Sequence, residues 1–508
     1  MPNKNSIARN TIALYIRMLL SLIVSLYTAR VVLDVLGIND YGIYISVGGI
    51  AGFISFINSA LGNATTRFIT YSLGTKNNFF LEKTFSTALS IHILLALIII
   101  ILGETIGLWF LHHKLVIPAD RIVAATWVYH ISIITVFFTI TQVPFTASIN
   151  AHEHMSIYAF TSILEALLKL FIVFLLNSFN YDKLILYSIL YFSVTLFMLL
   201  FYRIYCLKYF PETHYHPQLS SKSIFKEISI FSSWSFLNAG GIALNAQGVL
   251  LLLNMFFSPA VVSARAISLQ INGLAMQFSN NIRAAANPQI IKRYANRNYE
   301  DAKQLVLKTS QYSYLLMWFL ALPIFFLADP ILHLWLKTVP EYTTIFLRFV
   351  IIQSLFSTLQ ASFFTAFYAQ GKLKINTLLS SLIYFVQFPI VYICFKFNCS
   401  PIILSIICLI TDVILALVIQ PMLLIRQLNY SKYDLIKVIY NCLKISLLSS
   451  IIPILLYQII DCHSVGGFIV MGLTCTLSNI FIIWKMGIED NLKLKILRNI
   501  KLTINKQH

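Results

Sequence analysis

Apolar residues in this chain fall into long, nearly unbroken stretches, separated by short polar ones, and the stretches have helical length. The pattern predicts spans at 11–36, 43–66, 85–108, 122–147, 157–178, 184–207, 225–256, 262–286, 305–328, 342–368, 375–396, 401–424, 435–458 and 465–484. Each approaches or exceeds the roughly 20 residues that a helix needs to cross hydrocarbon. The connections are short apart from 207–224 and 288–303, which leaves no room for a further soluble domain. The expected fold class is an all-α polytopic membrane protein with about 14 transmembrane helices.

Composition agrees. Of 508 residues, 58% are hydrophobic and 11% charged, against about 25% charged in soluble domains. The first apolar stretch is too long for a secretory signal, is interrupted by Arg17, and lacks a small-residue cleavage site. Seven cysteines form no CxxC pair and lie mostly within spans, so disulfides and metal ligation are not expected. His152-Glu153-His154 offers alternate residues with no third ligand, a poor metal pattern. The formal charge of +18 raises the question of nucleic acid. An even number of spans, however, puts both termini on one side, and most lysines and arginines collect there. The positive-inside rule makes that side cytoplasmic, so topology accounts for the basic excess and no nucleic acid is needed.

An offset of 226 aligns Leu108-Trp109 with Leu334-Trp335 and Arg67 with Arg293, and an offset of 218 aligns Phe145–Ala151 with Phe363–Ala369. These correspondences predict two parallel six-helix lobes, residues 1–210 and 211–430. Two further helices and a basic tail, 431–508, follow them.

Charges inside spans need a reason, because one at the bilayer centre costs about 2.5–3.5 kcal/mol on insertion scales. The first span carries Arg17, Arg30 and Asp34, so it faces protein or water. Span seven puts Asn238 and Asn245 on a stripe with Trp234, Gly241 and Gly248. Span eight puts Arg265, Asn272 and Arg283 on one face with Met276 and Ser279. Helix–helix contact and cavity lining are both open readings for such stripes. Glu165 and Lys169, spaced i, i+4, are either a structural pair or an ion-coupling site. Asp412 has no cation near it in sequence and is the second ion-coupling candidate. No nucleophile elbow, phosphate-binding glycine loop or Walker sequence occurs, so neither an enzyme nor an ATPase is expected, and no cofactor.

Asn5-Ser-Ile-Ala-Arg-Asn10-Thr, the run from Thr28 through Asp34, Gly37-Ile-Asn-Asp-Tyr-Gly42, Asn63-Ala-Thr-Thr-Arg67-Phe and Ala286-Asn-Pro288-Gln-Ile carry a resemblance. In these motifs the chain resembles the Wzx-type polysaccharide (O-antigen) flippases of the multidrug/oligosaccharidyl-lipid/polysaccharide (MOP) exporter superfamily. The resemblance implies two lobes in a V around a cationic cavity and alternating access. Its substrate would be a polyprenyl-diphosphate-linked oligosaccharide, moved from inner to outer leaflet. Arg17, Asp34 and Arg265 look comparable to cavity residues of that family. It also implies a monomer of the bacterial inner membrane, in contact with membrane lipids and with the polymerase and chain-length regulator of the same pathway. Guanidinium groups suit a diphosphate and amides suit sugars. The membrane potential, or a proton or sodium gradient, would supply the energy. Carrying about two negative charges outward gains roughly 4–5 kcal/mol per 100 mV. A lipid II flippase and a multidrug/cation antiporter of the same superfamily are the competing expectations. Span two has no mid-membrane arginine, which separates the chain from a close lipid II match.

Overall fold

A computed structural model describes residues 4–494 apart from 55, 76, 155, 177, 491 and 492. Side chains are described from residue 22 onward, except at positions within 51–63, 156–159 and 231–242 and at 285. No strand occurs among the described residues. The helices are α1 (Lys4–Ile54), α2 (Phe56–Gly74), α3 (Asn78–Leu102), α4 (Leu108–Lys114), α5 (Ile122–Ala151) and α6 (Ser156–Leu175). They continue as α7 (Lys183–Tyr209), α8 (Lys222–Ala243), α9 (Val249–Phe256), α10 (Pro259–Ala295), α11 (Tyr299–Phe326) and α12 (Ala328–Trp335). The last are α13 (Thr343–Gln370), α14 (Leu373–Lys396), α15 (Ile402–Ile414), α16 (Gln420–Leu428), α17 (Lys432–Tyr457) and α18 (Val465–Ile482).

Every expected span falls on helix, and the breaks have local causes. Four π-helical turns among the described residues, at Gly103–Gly107, Leu244–Gly248, Leu415–Ile419 and Ile483–Gly487, join or extend rods that the apolar pattern reads as continuous. At the first of these, the Tyr129 hydroxyl of α5 donates to the Gly103 carbonyl at 2.6 Å. Among the described residues, ten helices are long and apolar enough to cross a membrane. Counting the α11–α12 pair, bent by 78°, as one span makes eleven. Expected spans two, five and eight, on α2, α6 and α10, are not among them; on α10, arginines and asparagines dilute the apolar character.

The chain forms two compact units. The first comprises Met1–Ala266 and Tyr384–Pro401, the second Ile267–Ile383 and Ile402–His508.

In the first unit, Gly37 interrupts α1 with φ 78° and ψ 168°, a conformation that only glycine adopts without strain. The limb that follows packs Ile43, Val47 and Ile50 against Val128, Tyr129 and Leu184 of α5 and α7. The turn itself is held at two points. Ser263 Oγ, near the start of α10, donates to the Ile38 carbonyl at 2.6 Å. Arg121, just before α5, bridges two acids: it reaches Asp40 at 2.5 Å and Asp182 at 2.6 Å. Asp182 also caps α7, accepting from the Leu184 and Ile185 amides. Burial pushes the Asp182 carboxyl up, but Arg121 and these amides outweigh it and hold the group below the usual carboxylate range.

Arg121 therefore ties together the ends of three helices. The three side chains are 18–31% exposed, so Arg121→Ala is expected to cost about 2 kcal/mol, between the surface and buried limits for ion pairs. Because the Asp182 pKa is depressed on folding, its contribution is present at neutral pH and is lost as the pH falls through its folded value. Thermal midpoints of wild type and variant at neutral pH and in acid check this: the gap between them is expected to narrow in acid.

In the second unit, α11 packs along α13, and polar contacts dock α17 on α11 and α18 on α17. Trp318 Nε1 donates to Ser449 Oγ at 2.7 Å, Tyr314 and Ser446 hydroxyls meet at 3.1 Å, and Ser478 Oγ donates to the Ser449 carbonyl at 2.7 Å. Lipid tails are as apolar as leucine, so packing and such bonds, each worth about 0.6 kcal/mol, rather than hydrophobic burial, hold membrane helices together.

Candidate functional site

In the first unit, Arg30 is half-buried and Asp34 exposed, both on the α1 limb before Gly37. Arg17 and Asn238 lie outside the residues whose side chains are described. Asn245 sits in the π-helical turn between α8 and α9, and its Oδ1 accepts from Gln387 Nε2 of α14 at 3.0 Å. That amide pair ties the span-seven stripe to α14, a partner some 140 residues away. Arg265 is buried, 3% exposed, and engaged by other groups. Glu165 pairs with Lys169 at 2.6 Å, and the Lys169 ammonium lies 4.8 Å from the Tyr191 ring centroid. The carboxylate of this coupling candidate is thus already neutralised by its neighbour one turn on.

In the second unit, Asn272 and Arg283 lie on α10. The Asn272 Oδ1 is buried and accepts no hydrogen bond among the described residues, whereas Arg283 donates to Asn280 on its own helix. Met276 and Ser279 of the same stripe serve contact: Thr358 donates to the Met276 sulfur at 3.5 Å, and Ser279 donates to the Ser313 carbonyl at 3.2 Å. Both readings left open for this stripe therefore survive, for different members.

Asp412, on α15, is 2% exposed and is met from one face of α13. Gln353 Nε2 and Ser357 Oγ donate to its Oδ2 at 2.9 Å each, and Gln360 Nε2 reaches Oδ1 at 3.2 Å and the Asp412 carbonyl at 3.1 Å. The acid that has no cation near it in sequence thus receives three neutral side chains of α13. Their spacing, i, i+4, i+7, is a helical stripe visible in the sequence, but nothing local links it to position 412.

His152 and His154 act as contact residues: His152 Nε2 bonds Glu212 at 2.7 Å while its ring stacks on Phe210, and His154 bonds the Tyr205 hydroxyl at 2.9 Å. They pin the loop after α7.

The MatE family model matches residues 247–393. No curated protein matches the chain. Among solved structures, an inward-facing multidrug resistance MATE family transporter of the MOP superfamily is 14% identical, with a TM-score of 0.69. The match covers 82% of this chain and 99% of that one. The lipid II flippase MurJ, in an inward closed conformation, is also 14% identical with a TM-score of 0.69, over 93% of this chain and 97% of its own. A MOP superfamily transporter from Pyrococcus furiosus, described as having a binding pocket of reversed polarity, is 15% identical with a TM-score of 0.53, covering 81% and 96%. The chain has the MATE-type transporter fold, and residues 247–393 carry that family's sequence pattern as well.

Proposed function

We propose that this chain is a transporter rather than an enzyme. Its substrate is a polyprenyl-diphosphate-linked oligosaccharide, and it carries the repeat unit of a surface polysaccharide from inner to outer leaflet by alternating access through a cationic cavity. The observation that carries the reading is the span-eight helix, α10, which keeps Arg265 buried and carries Arg283 further along, with no acid along its length. Guanidinium groups held away from bulk water are strong, bidentate ligands for phosphate oxygens, and Asn245, Asn272, Arg30 and Asp34 offer polar groups for sugar hydroxyls. In this reading the chain crosses the bacterial inner membrane fourteen times with both termini cytoplasmic, acts as a monomer, and works beside a polymerase and a chain-length regulator. The membrane potential, or a cation passing by Asp412 or Glu165, supplies the energy.

A second reading, a lipid II flippase, is favoured by the match to MurJ over 93% of this chain. A multidrug/cation antiporter is the third, and it fits less well because its substrates call for acids where α10 carries arginines.

Proteoliposomes decide among them. Purified protein is expected to flip a lipid-linked oligosaccharide and to leave lipid II and cationic dyes in place. Arg265→Ala and Arg283→Ala, both inserted normally, are expected to slow flipping by about tenfold or more. Flipping of lipid II alone establishes the second reading, and full activity in both variants ends the arginine assignment.

A further inference from the structure

The second unit holds a polar cavity, of about 580 Å³, that none of the transport residues touches. It opens where the C-terminal ends of α10, α13 and α16 meet the first turn of α11, and its volume lies in the usual range for small-ligand sites. A second chamber of about 380 Å³ adjoins it, and the two share Glu300, Lys303 and Asn429. The walls of the first chamber combine two ammonium groups, Lys303 and Lys372, with one carboxylate, Glu300, and the second chamber adds Asp434.

Helix C-termini repel anions, so the carbonyl ends meeting here set the electrostatic problem. The two lysines solve it. Lys372 Nζ donates to the Gln427 carbonyl at 2.8 Å and Lys303 Nζ to the Asn429 carbonyl at 2.9 Å, a residue whose left-handed backbone turns that carbonyl inward. Each ammonium has three donors, so these contacts do not exhaust it. Lys303 gives another to Glu300 Oε1 at 2.7 Å, and the two differ sharply in freedom: the lysine side chain is 15% exposed, the glutamate 80%. A fixed, shielded cation is therefore faced by a carboxylate that reaches it from solvent.

We propose that this cavity is a binding site for a phosphate group, with Lys303 and Lys372 as its ligands and the Glu300 carboxylate as a resident anion that the phosphate displaces. Basic pockets between membrane helices on a cytoplasmic face suit lipid headgroups, and a free phosphate compound presents the same oxygens. The Tyr294 and Tyr430 hydroxyls, from the first and second chambers, are joined at 2.7 Å, and the Lys303 ammonium lies 5.9 Å from the Tyr430 ring centroid. The site is independent of the transported substrate, and transport variants on α10 leave it intact.

Displacement gives a test with opposite signs. Full-length protein in detergent is titrated with inorganic diphosphate, and protein in nanodiscs of neutral lipid is compared with nanodiscs containing phosphatidylglycerol, following the thermal midpoint. Lys303→Gln and Lys372→Gln are each expected to weaken the response about tenfold, the worth of a charge-assisted bond. Glu300→Gln is expected to strengthen it by removing the competitor. A response to phosphatidylglycerol alone identifies a lipid headgroup, and one to diphosphate alone a soluble phosphate compound. If the lysines only cap helix ends, Lys303→Gln lowers the starting midpoint while Glu300→Gln leaves the ligand response unchanged or weaker, and that result overturns the proposal. So does wild-type protein that responds to neither probe.

Discussion

Replacing Gly42 with alanine is expected to destabilise the protein by on the order of 3 kcal/mol, the upper part of the range for overpacking. A Cβ added at this position would press on the backbone carbonyl of Pro259, 2.5 Å from its carbon, and would stand 2.8 Å from Ser263 Oγ. Neither can yield easily. Pro259 opens α10, and Ser263 is the residue that holds the Ile38 carbonyl. Relief of the clash would move the turn away from α10 and pull on the Asp40–Arg121 bridge as well. Gly48, six residues on in the same limb, supplies the control, because a Cβ there meets nothing within 4 Å. Gly48→Ala is expected to be neutral or to stabilise by about 0.5–1 kcal/mol through helix propensity. Thermal midpoints of the two variants in one detergent check the pair; similar midpoints would mean that the turn does not rest on α10 as described.

Asp412→Ala is the other change with a large expected effect, about 3 kcal/mol. It removes the acceptor shared by Gln353, Ser357 and Gln360 and leaves one buried and two half-buried donors around an empty space, the buried one costing about 1–3 kcal/mol before relaxation. Asp412→Asn keeps one oxygen acceptor and the side-chain volume, so about 1 kcal/mol is expected. Denaturation midpoints check the order, and an alanine variant as stable as wild type would contradict the geometry. The asparagine variant also bears on energy coupling. Transport by it that still follows a proton or sodium gradient removes Asp412 from that role, without the ambiguity of a damaged fold.

The helical architecture was legible because the bilayer imposes it: apolar runs of span length admit few alternatives. The turn Gly37–Gly42 was visible as a motif, but its physics was not. Gly37 answers to its own backbone angle, whereas Gly42 answers to Pro259, more than two hundred residues away. Arg121 shows the same limit. In sequence it is a lone cation between two apolar runs, and its partners, 81 and 61 residues off, give no local sign. For the candidate site, residue type was readable and environment was not. Glu165 had its counter-ion one turn away and pairs as the spacing allows. Asp412 had its donors on another helix, so its surroundings could not be read from its neighbours. Lys303 and Lys372 lie far apart in sequence, and their cavity arises from three chain reversals that meet in space.

The π-helical turns carry a consequence for how chain length can vary. Such a turn holds one residue more than a regular helix needs, so the segment beyond it is rotated by about 100° relative to an uninterrupted rod. Losing one residue from Leu244–Gly248 would restore ordinary winding and leave Val249–Phe256 facing as it does now, because the turn had already absorbed that residue. Single-codon deletions elsewhere in a buried helix shift everything downstream with no slack to absorb them. The three such stretches with helix on both sides, Gly103–Gly107, Leu244–Gly248 and Leu415–Ile419, are therefore places where a deletion would spare the helix face beyond them.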